Sequence, residues 1–356
     1  MYSLCVMIIR NISCEYILQS IPQMLYNIIC SNEKEFINMV RLKDVANYAG
    51  VSVSTVSRVL NNSTRVDPVT RANVEEAMHT LGYRPDDIAR RLKKNSSEVI
   101  GVIIPDISNP FFASVVRGVE REAVASGYSV VLCDTDSSVS AERNAVSLLE
   151  GQRVAGIISA SVAAEDEFKE IYNNLSANVV FIDNLPPHFG TFSTVTIDNF
   201  RAAFELASVL CSAGKRDIGI ISGPDNESSA AERLKGFLSA LEYHGVEIRP
   251  ERIAKGDNGY ESGYDSMKKM IANGVPDALL AGNNFMAYGA VKAITEESLS
   301  FPTDIAVAAF DIIDYSQLVR HKFISANQPA ADIGVEAAKI CIEKSVKDVV
   351  LPHSIE

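Results

Sequence analysis

No stretch of this 356-residue chain approaches the roughly 20 uninterrupted apolar residues of a membrane span, although 47% of its residues are hydrophobic. No membrane partner is therefore expected. The six cysteines stand at 5, 14, 30, 133, 211 and 341. Their spacing gives neither a CxxC pair nor a metal cluster. Cys133 and Cys211 lie in apolar surroundings and read as reduced core residues. The five histidines, at 79, 188, 244, 321 and 353, accompany no obvious Ser or Cys nucleophile. There is no Walker A loop, no GxGxxG and no GxSxG. These absences argue against an enzyme, and neither a cofactor nor a metal is expected.

Excess positive charge is also lacking. The net charge is −12, which at first argues against a nucleic-acid partner. Its distribution reverses the argument. Between Arg41 and Glu98 there are ten Lys/Arg and seven Asp/Glu, a balance of +3, so the rest of the chain carries −15. A mildly basic head on an acidic body fits DNA binding confined to one end.

What is present is concentrated in the stretch from Arg41 to Leu92. Leu42 to Asn61 has the pattern of a helix, a tight turn and a second helix. Val45, Ala46 and Ala49 share one face of the first helix. Gly50 suits the turn, where a Cβ would penalise positive φ. Ser52 can cap the second helix by accepting from a backbone N–H one turn in. Val56, Val59 and Leu60 give that helix its buried side. Such a helix-turn-helix places its second helix in the major groove. Val53, Ser54, Thr55 and Arg58 are its candidate DNA contacts. Ser can bond several base edges, Val can touch a thymine methyl, and Arg can reach a guanine or a phosphate. Without that context, a small helical pair with a solvated face would read the same way. Asn61-Asn62-Ser63 reads as a polar turn, and Asp67-Pro68 opens a third helix running to about Leu81 and ending at Gly82. Val69, Asn73, Ala77 and Leu81 are expected to form its packing face.

The run DVANYAGVSVSTVSRVLN, together with LGYRPDDIARRL and IGVIIPDISNPFF, resembles the lactose-repressor/galactose-repressor family of bacterial transcription regulators. The likeness extends from about Val40 to the end of the chain. It implies that Asp86 to Leu92 is a hinge helix that orders on DNA, pairs with its twin in a homodimer and wedges Leu92 into the minor groove, with Ala89 the small residue before it. Asp86 stands where the family usually has Asn, and a carboxylate there repels phosphate. A charged linker with no groove contact is the alternative.

Residues 1–38 are apolar and Ile-rich, hold three of the six cysteines and lack a clean signal-peptide layout. The family usually begins about where Met39 stands. The expectation is an over-extended reading frame; an amphipathic or membrane-associating extension is the rival. The family also usually continues several residues past Glu356.

From Glu98 onward, apolar runs alternate with helical patterns. VIGVIIP, YSVVLCD, VAGIISA and NVVFID form one set; RDIGIISG, DALLAGN and DIAVAAFD form a second. Near-continuous apolar strands between helices imply parallel sheets covered on both faces. Two such halves fit a pair of periplasmic-binding-protein-like lobes, with ligand held at the carboxyl ends of the strands. Those ends carry Asp106 and Asn109, Asp134 and Asp136, Asp183, Asn283 and Asp311, with Arg233 near a helix start. Carboxylates, amides and a guanidinium suit sugar hydroxyls, and Phe111 or Phe112 could stack on a sugar face. Each alone could be only a turn or a helix cap. The resemblance adds RLKGF for an effector-binding Arg233, AGNNFMAYGA for Asn283, AFDIID for Asp311, SANQP for Gln328 and VVFID for Asp183. Asn284 and Ile312 replace acids of the family pattern.

The expected architecture is an α/β protein: an all-α helix-turn-helix head and a two-lobed body with parallel sheets. Expected boundaries are an extension at 1–39, the head at 40–84, a hinge and linker at 85–98, one lobe at 99–195 plus 326–348 and the other at 196–325 plus 349–356. The resemblance supplies the three crossings, near Thr196, Ala326 and Val349. The expected function is a cytoplasmic, nucleoid-associated repressor of carbohydrate-utilisation genes. It would be a homodimer on double-stranded operator DNA, with a small effector, a sugar by this reading, held between the lobes. The alternative is a regulator activated by a protein or purine-like corepressor.

Overall fold

A computed structural model describes residues 40–60, 65–83, 97–185, 192–313 and 323–356. The chain divides into two compact units, with the boundary between residues 90 and 91. The first contains three helices among the described residues: α1 (Leu42–Tyr48), α2 (Val53–Leu60) and α3 (Pro68–Leu81). Its core is six small side chains, Val45, Ala46, Val56, Val59, Val74 and Ala77, none more than 3% exposed. Asp67 caps α3 by accepting from Val69 N and Thr70 N, Pro68 takes the first helical position, and Gly82 ends the helix in the left-handed conformation.

The α3 face differs from the sequence expectation. Val69 is 70% exposed and Asn73 is exposed, while Val74 and Ala77 are buried with Met78 and Leu81 packed beside them. The reason is geometric. Steps of four residues advance 40° beyond a full turn, so a series of i+4 positions drifts around the helix instead of holding one face.

The second unit holds two six-stranded sheets. The first comprises β1 (Val99–Ile104), β2 (Ser129–Asp134), β3 (Gly156–Ser159), β4 (Asn178–Ile182), β5 (Ser193–Ile197) and β11 (Asp348–Leu351), in the order β11-β5-β4-β3-β1-β2. The second comprises β6 (Ile218–Ser222), β7 (Ile253–Lys255), β8 (Ala278–Ala281), β9 (Ala306–Phe310), β10 (Ile324–Asn327) and β12 (Ser354–Ile355), in the order β12-β10-β9-β8-β6-β7. All neighbours are parallel except β10 and β12. The orders match position for position, so β1, β3 and β4 correspond to β6, β8 and β9.

Parallel strands covered on both faces need apolar residues at every position, not alternate ones. Every residue of β1, β3, β6 and β8 is buried accordingly. The covering helices of the first lobe include α4 (Pro110–Ala125), α5 (Val139–Gly151) and α6 (Glu165–Tyr172). Those of the second include α7 (Asn199–Ser212), α8 (Ser228–Tyr243), α9 (Tyr260–Ala272) and α10 (Asn284–Glu296). Helix α11 (Ala330–Glu343) returns to pack on α4, and a Cβ on Gly334 would lie 2.1 Å from the Val115 carbonyl oxygen, so only glycine permits that approach.

The chain passes between sheets three times, each close to the expected place and just after it. Strand β5 remains in the first sheet through Ile197, which pairs with Leu351, so the first crossing follows residue 197 and not Thr196. Strand β10 holds Ala326 and Asn327 in the second sheet through Ile355 and Ser354, so the second crossing follows Asn327. Val349 pairs with Val195 in the first sheet, and the last crossing falls between Leu351 and Ser354. In each case ladder hydrogen bonds carry the strand beyond the expected boundary. Cys211 is buried in the core and Cys133 is only half-buried, at an edge strand.

Candidate functional site

In the helical head, the turn between α1 and α2 is set by Gly50, at φ +67°, and by Val51 N donating to Ala46 O at 3.0 Å. Ser52 Oγ accepts from Thr55 N at 3.2 Å and lies 2.8 Å from both the Ser54 and Thr55 hydroxyls. With Val56 and Val59 turned inward, the opposite side of α2 presents Val53, 44% exposed, together with exposed Ser54 and Arg58. Thr55 is half-buried and its hydroxyl is spent on the capping cluster. The expected hinge residues Ala89 and Leu92, Asp86 and the turn at Asn61-Asn62-Ser63 lie outside the described residues.

In the body, a cleft between the lobes with about 260 Å³ of free space is lined by strand ends and helix starts from both sheets. It is close to the lower limit of the roughly 300–1,000 Å³ usual for small-ligand pockets. Asn109, Phe111, Phe112, Asp183, Arg233, Asn283, Asp311 and Gln328 all line it. Asp183 ends β4 and Asp311 ends β9, the corresponding strand of the other sheet. Both adopt positive φ, +63° and +56°, a conformation that Asp tolerates better than most residues. Asp106 and Asp136 also line the cleft, whereas Asp134 is exposed and does not. It closes β2, the edge strand of its sheet.

Arg233, on α8, is the fixed centre of this site and only 7% exposed. Its Nε donates to Asn199 Oδ1 at 2.8 Å and its Nη1 to Gly282 O at 2.7 Å. The guanidinium carbon sits 3.9 Å from the Phe310 ring centroid, a cation–π contact. Its Nη2 has no hydrogen-bond partner and lies 4.0 Å from Asp183 Oδ1. Two of the three nitrogens are thus held by the protein, and the third faces the cleft. Gln328 donates from its backbone N and its Nε2 to the two Asp311 oxygens, at 2.9 and 2.7 Å, and leaves its own Oε1 buried without a partner. A buried donor and a buried acceptor left unpaired in one cleft are costly unless something else satisfies them.

The other expected side chains are committed locally. Asn283 Oδ1 caps α10 at Met286 N, and its Nδ2 donates to Asn258 O. Asn109 Oδ1 caps α4 at Phe111 N, and its Nδ2 donates across the cleft to Asn284 Oδ1 at 3.3 Å, while Asn284 Nδ2 returns a bond to Asn109 Oδ1 at 3.1 Å. A second cross-lobe bond runs from the Ser229 hydroxyl to Asn184 Oδ1 at 2.8 Å. The rings of Phe111 and Phe112 meet edge to face at 5.0 Å.

Glu227, Asn184, Ser229 and Asn258 also line the cleft and were not expected from the sequence. Glu227 and Ser229 follow β6 as Asn109 follows β1, so the strand-end rule that found Asn109 would have found them too. Asn258 follows β7, a three-residue strand too short to give a pattern. Burial pushes the Glu227 carboxyl up to about 7, against a lowering bond from Asn258. Burial likewise raises Asp311 to about 6 and raises Asp183, with the Arg233 guanidinium pulling both down.

A helix-turn-helix head joined in one chain to a two-lobed body with a polar interlobe cleft defines a DNA-binding transcription regulator. This chain belongs to the lacI family. Residues 41–86 match the family model "Bacterial regulatory proteins, lacI family", and residues 97–353 match "Periplasmic binding proteins and sugar binding domain of LacI family". It is 34% identical over 325 residues to catabolite control protein A of Priestia megaterium, covering 89% of this chain and 98% of that one. It is 33% identical over 305 residues to the HTH-type transcriptional repressor CytR of Escherichia coli K12, covering 85% and 89%. Among solved structures it resembles the lac repressor dimer bound to operator and the anti-inducer ONPF, with TM-score 0.78, 29% identity and coverage of 89% and 97%. It also resembles the transcriptional regulator CelR in complex with cellobiose, with TM-score 0.67, 26% identity and coverage of 89% and 98%. The relatives are named regulators and repressors, and the protein is not an enzyme.

Proposed function

We propose that this protein is a homodimeric repressor of carbohydrate-utilisation genes whose grip on operator DNA is set by a small polyhydroxylated effector in the interlobe cleft. The observation that carries the effector half is a pair of buried, unpartnered atoms on two residues that line one cleft, Arg233 Nη2 and Gln328 Oε1. A sugar hydroxyl can accept from the first and donate to the second. Asp183, Asn283 and Asp311 would fix its orientation, and Phe111 or Phe112 would cover its apolar face; Asn109 would act through the cross-lobe pair with Asn284. In the head, Val53, Ser54 and Arg58 would read base edges, Thr55 would hold the helix start, and Ala89 and Leu92 would enter the minor groove. Two-fold symmetry of the dimer calls for a near-palindromic operator. The kinship with the operator-bound lac repressor dimer and with the cellobiose-bound CelR supports this assignment of partners. Such a regulator works in the cytoplasm, on the nucleoid. The effector favours one lobe arrangement, and operator affinity shifts by its differential affinity for the two states.

Selection of tight binders from a random duplex pool tests the DNA half. Recovery of a near-palindromic consensus that Arg58→Ala no longer prefers is the expected result. No enrichment over random competitor, with and without added sugars, contradicts the reading.

A further inference from the structure

The charge of the cleft is lopsided. Asp106, Asp136, Asp183, Glu227, Asp257 and Asp311 line it, and Arg233 is the single cation among the described lining residues. Most of that cation is already used, since two of its nitrogens bind Asn199 and Gly282. Asp183 comes from one lobe, and Glu227 and Asp311 from the other, and the Asp183 charge raises the hold of both on a proton. Among the described lining residues, one guanidinium shared by three partly buried carboxylates leaves negative charge uncompensated.

Glu227 is the member that stands at a helix start without capping it. It occupies the N-cap position of α8, as Asn109 does on α4. Asn109 spends its oxygen on its own helix. Glu227 makes no such capping bond and instead accepts from Asn258 Nδ2 at 2.8 Å, at the edge of the cleft. The second observation is the orphaned Gln328 Oε1, an acceptor more than nine-tenths buried that only a donor can satisfy. A metal ion does not supply the missing charge: among the described residues no three His, Cys, Asp or Glu side chains are grouped so as to hold one.

We propose that the effector carries a basic nitrogen: it is a small polyol bearing an ammonium group, of the amino-sugar class, with Glu227 as the residue that selects the ammonium beside Asp183. This rests on the effector reading above and narrows it. A hydroxyl-only sugar pairs with Gln328 and Arg233 but leaves the carboxylate excess in place. A phosphorylated sugar adds to it. An ammonium offers three donors and one positive charge to an acceptor-rich, acidic cleft.

The test is a thermal-shift and calorimetric comparison of matched compounds on the full chain. Glucose, galactose and mannose are each offered as the parent sugar, the 2-amino derivative and the 6-phosphate. The expected result is that an amino member binds at least about tenfold more tightly than its parent, and that the phosphates do not bind. Glu227→Gln, which keeps an oxygen for Asn258, removes the amino preference by weakening the amino compound by a larger factor than its parent sugar. If a parent sugar or a phosphate binds as well as its amino partner, or if no amino compound binds, the inference is overturned. Binding by neutral sugars alone would overturn it while leaving the sugar-responsive reading intact; the operator selection judges the DNA half separately. If Glu227→Gln weakens parent and amino sugar equally, Glu227 is a structural support and not the selector.

Discussion

Arg58 in the head and Arg233 in the body are both proposed to meet a partner, and they are held in opposite ways. Arg58 is exposed on the outer side of α2, clear of a core made of six small side chains. Arg233 is 7% exposed, hydrogen-bonded through two nitrogens and seated on Phe310. In the head, the residues proposed to read DNA are not the residues of the core, so that face can change without touching the core. In the body, the side chains that hold the cleft together are also those proposed to meet the ligand. Changing the effector specificity there alters buried charge, and with it the stability of the lobes.

The contrast is broken most sharply at Arg233. Arg233→Ala leaves Asp183 and Asp311 buried without their cation, and removal of one partner from a buried charged pair costs about 3–5 kcal/mol. Denaturant unfolding of the body should show a loss of that size together with loss of effector binding; a drop below about 1 kcal/mol would mean that the guanidinium carries little of the site. Next comes Val56→Ala. It removes two methyl groups from a fully buried position of the small head core, a cost of about 1.5–3 kcal/mol. The head should melt at lower temperature by near- and far-ultraviolet dichroism while the body transition stays in place. A shift of both transitions would contradict the separation of the two units.

A pH series sharpens the same contrast. Glu227 sits at about 7 and Asp311 at about 6, both raised chiefly by burial. Each therefore binds its proton more tightly in the folded body than in the unfolded chain. Stability from these groups falls as pH rises through the interval between unfolded and folded values, and returns on acidification. Glu227→Gln should accordingly be more stable than the parent protein at pH 8, with the gap closing by pH 5. A gap that widens on acidification would contradict the burial assigned to this carboxyl. The smallest effect on folding belongs to Arg58→Ala, expected within about 0.5 kcal/mol in stability, with a loss of about 1–3 kcal/mol in operator affinity. Equal losses in both would place Arg58 in the fold and not on the reading face.

The head was largely legible because its punctuation is local. Ser52, Gly50, Asp67-Pro68 and Gly82 mark helix ends by their own backbone chemistry, and each is found in that role. The face of α3 was not legible from an i+4 series, because Val69 and Ala77 are turned about 80° from each other around the helix and only Ala77 is buried. In the body, apolar runs revealed the buried strands, and their polar ends led to Asp183 and Asp311. What escaped depends on long-range pairing. Asn109 meets Asn284 from 175 residues away, and Asn258 follows the three-residue strand β7. The sheet crossings came from the resemblance and lie close to where it put them; their last residues are decided by the ladder bonds that end β5, β10 and β11. The loss of an acid at Asn284 is explained by its amide pair across the cleft; nothing in the structure explains Ile312.

Coupling between cleft and head is the claim on which the account turns. It is measured most directly by titrating the sugar that gives the largest thermal shift into the full chain, alone and saturated with its selected operator duplex. The account predicts unequal sugar affinities, differing by the same factor by which that sugar changes operator affinity. Equal affinities in the two titrations would contradict it.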